Sequence, residues 1–522
     1  MEDLPNVSVG TSRSAARRSS HLPCLPPPVK RWRGAVSVIV LVLLGAAGGC
    51  TTSLHDWVRN GFKVGPNYAR PPAPVADAWI DDGNEKIQAT GTHYADWWAA
   101  FNDPTLDSLV WQAYDENLPL KVAGLRVLEA RAQLAVATGN LLPQQQQAIG
   151  AFARSKISEN GYPFGSFSLP KTAFDTWNLG FDVAWEFDFW GRFRRMIESA
   201  DAAMNAQIEN YDDVLVLLQA EVATTYVQLR TLEERLDLAT RNVELLKETL
   251  RIVRARFAAG EVDDLDVQQT LTILSATEAA IPVFRKGRRQ AQNRLCTLRG
   301  MPPQALDEQL GESGVIPQAP ASIVLGIPAE LLRRRPDIRR AEREAAAQCA
   351  QIGVAESELY PRIAFTGTIA VESETFSRLF NAGSSKFVLG PGFQWNVLNY
   401  GRIRGNVRAQ DARFQQLVLE YQETVLRANE EVENAVTAFL NEQDRVQSLT
   451  VAAEAAAKSV KLSQLQYERG LVDFERLLDS QRALILQQDA LAEATGNVAL
   501  QLVAAYKALG GGWQARFAEP TN

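Results

Sequence analysis

Three histidines and four cysteines in 522 residues leave little from which to build a metal or redox centre. Cys24, Cys50, Cys296 and Cys349 lack ligand-like spacing and form no disulfide framework. His21, His55 and His93 all fall early in the chain, without spaced acids or cysteines, which argues against zinc or triad chemistry. There is no phosphate-cradling glycine-rich loop followed by lysine, so the chain itself should not hydrolyse nucleotide. An enzyme is not expected, and no catalytic residue, metal ligand or cofactor is assigned. Positive charge is also scarce. The net charge is −7, and residues 1–49 hold six Lys/Arg against two Asp/Glu, so the remainder carries −11. A nucleic-acid partner, which needs a basic face, is excluded on that ground. With 46% hydrophobic and 22% charged residues, the chain is neither disordered nor an all-helical membrane protein.

The N-terminus carries an address. Lys30, Arg31 and Arg33 precede the apolar run Ala35–Ala47, which ends in Gly48-Gly49-Cys50. Basic stretch, short apolar core and small residues make a secretory signal over 1–49, too short to span as a mature helix. No internal Met precedes the basic run, and initiation is expected near Val29. Cys50 resembles the lipidated cysteine of a bacterial lipobox; an ordinary signal cleaved elsewhere is the alternative. Acyl chains anchor by burying CH₂ groups at about 0.8 kcal/mol each, and more than one chain is needed for lasting attachment. Thr51, rather than Asp, follows the cysteine, and by the sorting pattern of such lipoproteins this implies the outer membrane.

The chain repeats itself. LGFDVAWEFDFWGRFRRMIESADA (179–202) aligns without a gap on LGPGFQWNVLNYGRIRGNVRAQDA (389–412). The offset of 210 persists through Tyr211/Tyr421, Glu221/Glu431, Val222/Val432 and Gly260/Gly470. In each copy the hydrophobic period changes from two to seven at a Gly-Arg pair. Ile208, Leu215, Val222, Leu229, Leu236, Val243, Leu250 and Phe257 fall seven apart, with a companion seam from Tyr211 to Val253. The second copy repeats the seam from Val418 to Tyr467, its companion weakened by Glu442 and Ser463. Such heptads predict left-handed coiled coils, and 192–259, free of Pro and Gly, would span about 100 Å at 1.5 Å per residue. Gly260 and Gly470 should end these helices, and Asp263 and Asp473 are placed to N-cap the return helices. A further helix is expected in each copy, ending at Leu142-Pro143 and Tyr360-Pro361.

Four strands are expected. From Trp177 to Phe189 every odd position is apolar and every even one polar or small. Residues 387–397 alternate clearly, 363–371 moderately and 146–155 weakly. Apolar rows facing polar ones fit a membrane β-barrel with a wet interior, and 11–13 residues suffice to cross a bilayer as tilted strands. A soluble sandwich shows the same alternation, but an exported chain with no other sheet to cover the apolar row favours the barrel. Four strands cannot close, and an open edge in lipid strands backbone polar groups. Oligomerisation is therefore required.

VGPNYARP (64–71), DWWAAFNDPTLDSLV (96–110), WEFDFWGRFRR (185–195), LLRRRPDIRRAE (331–342) and NYGRIR (399–404) resemble the outer membrane factor family, TolC-like proteins of the lipidated NodT branch. The resemblance covers about residues 50–511. It implies a mainly α chain with a membrane β-barrel: a homotrimer whose twelve pooled strands close the barrel above a coiled-coil α-barrel. It also implies an exit duct for drugs or toxic compounds, in outer membrane lipid, working with a periplasmic adaptor (membrane fusion protein) and an inner-membrane transporter of the resistance-nodulation-division type. The expected segments are 1–49 signal, 50–100 lipidated tether, 101–300 first repeat, 301–327 equatorial linker, 328–511 second repeat and 512–522 tail. A conduit for protein secretion is the alternative within the channel class, and a pore-less lipid-anchored scaffold the alternative outside it.

A gate is expected at the distal helix ends, where a ring of carboxylates would repel one another and attract cations. ERGLVDFERLLDSQR (468–482) offers Asp473, Glu475 and Asp479. Asp479 is the candidate pore acid; Asp473 reads equally as a cap and Glu475 as solvated surface. At the strand-to-helix junctions, Trp185, Trp190, Trp395 and Tyr400 resemble an interfacial aromatic girdle, with packing between strand and helix as the alternative. Gly191 and Gly401 mark the junction, and Arg192 and Arg402 either cap it or face solvent. Cys296 and Cys349 are expected to be small buried hydrophobes.

Overall fold

The computed structural model describes residues 52–88, 94–158, 172–311 and 315–517. Two compact units divide the chain, Met1–Thr51 and Thr52–Asn522. The first, with the signal and Cys50, lies outside the described residues, as does His93.

In chain order the elements are α1 (Leu54–Arg59), β1 (Ile87–Gln88), α2 (Pro104–Glu116), α3 (Leu118–Gly139), β2 (Gln145–Lys156), β3 (Ala173–Phe187), α4 (Arg192–Ala258) and α5 (Asp264–Leu298). There follow α6 (Asp307–Leu310), β4 (Ile323–Val324), α7 (Leu331–Arg334), α8 (Pro336–Ser357), β5 (Arg362–Ser373), β6 (Ser385–Gln394), α9 (Arg402–Glu468) and α10 (Phe474–Ala508). The long helices α4 and α9 each have 67 residues. Their return helices α5 and α10 each have 35.

The heptad seams are buried where the period requires. Leu215, Val222, Leu229, Val243 and Leu250 of α4 are each at most 6% exposed, and so are Val425, Val432, Phe439 and Val460 of α9. Each first helix breaks once. Between α2 and α3, Asn117 accepts from the Leu120 amide at 2.9 Å and donates to the Leu298 carbonyl at 2.8 Å. Between α7 and α8 the break is at Arg335, because Pro336 can start a helix but not continue one. Arg335 donates to the Ala508 carbonyl at 2.9 Å. Leu298 and Ala508 are the final residues of the two return helices, so the same closure is made twice with different side chains.

Strands β2-β3-β5-β6 form one antiparallel sheet in that order. β3 covers 173–187 instead of the expected 177–189. The Asp188 carboxylate accepts from the Phe193 and Arg194 amides, which opens the helix and takes 188 and 189 out of the sheet. β6 covers 385–394, leaving Trp395 and Val397 beyond the strand. A second sheet went unexpected: β1 and β4 pair in parallel over two residues each, too short to leave a periodic signal. Asp263 and Asp473 occupy the N-cap positions of α5 and α10, but neither side chain makes the capping bond expected of it.

Candidate functional site

Register places Trp177, Leu179, Phe181, Val183 and Trp185 of β3 beside Val371, Ile369 and Phe365 of β5 and beside Phe387, Leu389 and Phe393 of β6, all on one face. The other face carries Asn178, Asp182 and Glu186 with Thr366, Thr368, Glu372 and Lys386. There Thr368 donates to Asp182 at 2.7 Å and Lys386 meets Glu372 at 3.0 Å. The apolar face is bare: Phe181, Ile369, Phe387 and Phe393 are 47, 59, 75 and 77% exposed. β2 and β6 form the two edges, and neither pairs on its outer side among the described residues. A sheet greasy on one face, wet on the other and open at both edges is not finished by one chain.

Below the sheet, indoles tie strands to helices. Trp185 Nε1 donates to the Leu141 carbonyl at 3.2 Å and Trp395 Nε1 to the Leu359 carbonyl at 2.9 Å, each two residues before the proline that ends the first helix of its copy. Trp190 donates to the Pro361 carbonyl at 2.9 Å and stacks on Tyr360. Tyr400, its counterpart, is 95% exposed. Arg192 pairs with Glu186 at 3.2 Å, whereas Arg402 is exposed. Gly191 and Gly401 have φ of 81° and 84°, a region closed to most side chains. At Gly191 a Cβ would also collide with the Lys63 backbone at 2.7 Å, while Gly401 faces open space.

The collision reports a strap that the sequence did not reveal. Residues 61–67 cross the start of α4, where Arg194 donates to the Gly61 and Phe62 carbonyls. Arg195 donates to the Val64 and Gly65 carbonyls and to Asn67. Lys63 pairs with Glu198. Upstream, the Thr52 amide donates to Glu356 at 2.6 Å. Only the arginines and acids could have hinted at this; backbone carbonyl acceptors leave no mark in a sequence.

At the distal end Asp479 is exposed and pairs with Arg482 at 3.2 Å, one turn along α10. Asp473 precedes that helix and Glu475 opens it, both outside the core. Within one chain these three acids do not converge: the described residues contain no group of three acids, histidines or cysteines fit to hold a metal. Arg256, near the end of α4, reaches the end of α9 and donates to the Tyr467 and Glu468 carbonyls at 3.1 and 3.3 Å. His55 is exposed, and Cys296 and Cys349 are buried thiols. Burial pushes the Cys349 thiol above its ordinary range.

The family model described as "Outer membrane efflux protein" matches residues 109–301 and 327–511. The chain is 31% identical to Nodulation protein T of Rhizobium leguminosarum bv. trifolii over 467 residues, covering 89% of this chain and 97% of that one. It is 29% identical to the pyoverdine export outer membrane protein OpmQ of Pseudomonas aeruginosa over 449 residues, covering 85% and 94%. Among solved structures, the outer-membrane channel OprN superposes with a TM-score of 0.81 at 32% identity, covering 86% of this chain and 99% of that one.

Proposed function

The chain belongs to the outer membrane efflux protein family, and on that premise we propose that three copies pool their sheets into one twelve-stranded barrel and that the closed tube is the working form. The protein is an outer-membrane channel of a multi-component efflux system. The observation that carries the trimer is the unfinished sheet: apolar and bare on one face, hydrogen-bonded and polar on the other, open along β2 and β6. Closing it removes both edges and puts the polar face around water.

The finer assignments follow. Cys50 carries the lipid that holds the tether in the outer membrane, two residues before the Thr52–Glu356 contact. A periplasmic adaptor and an inner-membrane transporter of the resistance-nodulation-division type supply the cargo and the free energy, since the duct has no nucleotide site of its own. The cargo is small organic compounds; one relative is named for pyoverdine export. Asp479, with Asp473 nearby, forms the acidic ring at the distal mouth when three chains bring their helix ends together.

The test uses the purified chain in detergent. A mass of three chains and an ion-conducting pore in planar bilayers are expected, and Asp479→Ala should lower cation selectivity. A soluble single chain without conductance would overturn the reading. Deleting the gene should sensitise cells to part of a panel of toxic small molecules, and the affected compounds define the cargo.

A further inference from the structure

One face of α4 carries polar side chains seven apart, and every one of them bonds to the second copy. Arg235 holds Asp489 of α10 through two hydrogen bonds of 2.7 and 2.8 Å. Asn242 donates to Gln488 at 3.1 Å. Thr249 accepts from Gln481 at 2.8 Å, both residues buried. Arg256 caps the last carbonyls of α9 and lies 4.3 Å from the Tyr467 ring centroid. These four rungs descend the seam between the hairpin α4/α5 and the hairpin α9/α10. Beside the upper rungs a cavity of about 500 Å³ leaves the bonds, more than packing, to hold the seam. At the tip, Phe474 and Leu478 of α10 join Val243, Leu246 and Val253 of α4 in one buried apolar cluster.

The repeat permits a comparison within the molecule. If copies follow one another around a tube, the seam from copy 1 to copy 2 inside a chain is the template for the seam from copy 2 to copy 1 of the next chain. Moved by the 210-residue offset, the same rungs would place Arg445 against Ala279, Ala452 against Glu278, Ser459 against Leu271, and Gln466 against the end of α4. None of the first three is a bonding pair. Phe474 and Leu478 become Asp264 and Gln268. Both the ladder and the apolar tip are therefore present inside a chain and missing between chains.

We propose that each chain's two hairpins move as a single rigid wedge and that the distal mouth opens along the seams between neighbouring chains. This rests on the trimeric channel reading above. Breaking the inner seam separates a bidentate Arg–carboxylate pair, two buried amide contacts and an apolar cluster. Parting the outer seam separates mismatched pairs.

The test compares two locks in the assembled protein, made with a short bis-maleimide. Cys296 and Cys349 are buried and do not compete. Asn242→Cys with Gln488→Cys locks the inner seam, and open-channel conductance should be unchanged. Ala452→Cys with Glu278→Cys should join chains into dimers and trimers on a denaturing gel and abolish conductance. Ala279→Asp, which gives Arg445 the partner that Arg235 has, should lower conductance without any cross-link. The proposal is overturned if the inner lock abolishes conductance, if the outer pair fails to join chains or joins them without effect, or if Ala279→Asp leaves conductance unchanged. Unmodified protein that neither forms trimers nor conducts would overturn the channel reading instead, which the wild-type control distinguishes.

Discussion

Trp190 and Tyr400 hold the same place in the two copies, yet Trp190 is stacked and hydrogen-bonded against the end of α8 while Tyr400 stands 95% exposed. Val216 is 5% exposed and Leu426, its counterpart, 55%. At the tip the inequality reverses: Tyr467 of copy 2 is covered by Arg256 and only 4% exposed, whereas Phe257 of copy 1 is 46% exposed. The reversal is informative. If copy 2 were merely the looser half, all differences would run one way. Copy 1 is covered on its side facing copy 2 and bare on the other, and copy 2 the opposite, as expected of two successive members of a ring with the remaining members removed.

The sharpest way to break this comparison is to charge both members of one pair. Val216→Asp buries an unpaired carboxylate inside the chain, which costs several kcal/mol before any rearrangement. The chain should fail to fold, or melt far earlier by circular dichroism. Leu426→Asp should leave the helical signal and melting of the isolated chain intact and remove the trimer from a heat-resistant gel band. Equal loss of folding in both variants would show that Leu426 has no neighbour waiting for it.

The strand edges sharpen it further. Shifting the β3–β5 register by the offsets that carry β3 onto β6 and β5 onto β2 sets Phe393 opposite Gly150 of the next chain, an aromatic over a glycine. Cysteines at Phe393 and Gly150 should cross-link chains into trimers under oxidation, whereas cysteines at Phe393 and Ala151, one residue out of register and on the opposite face, should not.

Asn117 and Arg335 compare the copies at their waist, where the two breaks reach the same carbonyl with different chemistry. Arg335 also binds Asp337 at 2.7 Å and Glu431 at 2.7 Å. Although burial disfavours the Asp337 charge, the Arg335 guanidinium holds that carboxyl below its usual range. Arg335→Ala would strand Asp337 and should cost about 3–5 kcal/mol. Asn117→Ala loses a neutral cap and one buried bond, about 1 kcal/mol. Chemical denaturation of the two variants measures the ratio.

Much of this was legible. The heptads announced α4 and α9, because a seam that must stay buried for some 100 Å cannot hide its period. The alternation from Trp177 announced a two-faced strand. What the sequence concealed was whatever depends on a backbone acceptor or on a polar side chain in an apolar register. Asp188 moved the strand end by binding amides. Arg195 found carbonyls of the strap. Asn242 and Thr249, polar members of a helix surface, read as solvated until their partners on α10 were seen. The acids at 473–479 were visible as acids, but only a ring of chains could bring them together.

The strap gives the last and smallest test, since it clamps one copy alone. Arg195 and Glu198, which grip it, correspond to Gly405 and Arg408 in copy 2, where no such grip can form. Partial burial works against the Glu198 charge, but the bonds from Lys63 and Arg195 outweigh it and hold the carboxyl below its usual range. A carboxylate depressed in the folded state stabilises above its unfolded pKa of about 4.5, and that contribution is lost as pH falls through the lower folded value. Amide exchange over residues 61–67 should therefore be slow at neutral pH and rise below about pH 4, while exchange in the Arg402–Glu468 helix stays level. Glu198→Gln should raise exchange in the strap at neutral pH and flatten its acid dependence. If the variant keeps the wild-type acid profile, Glu198 is not the group whose protonation frees the strap, and the junction of copy 1 is held by the Arg194 and Arg195 carbonyl contacts alone.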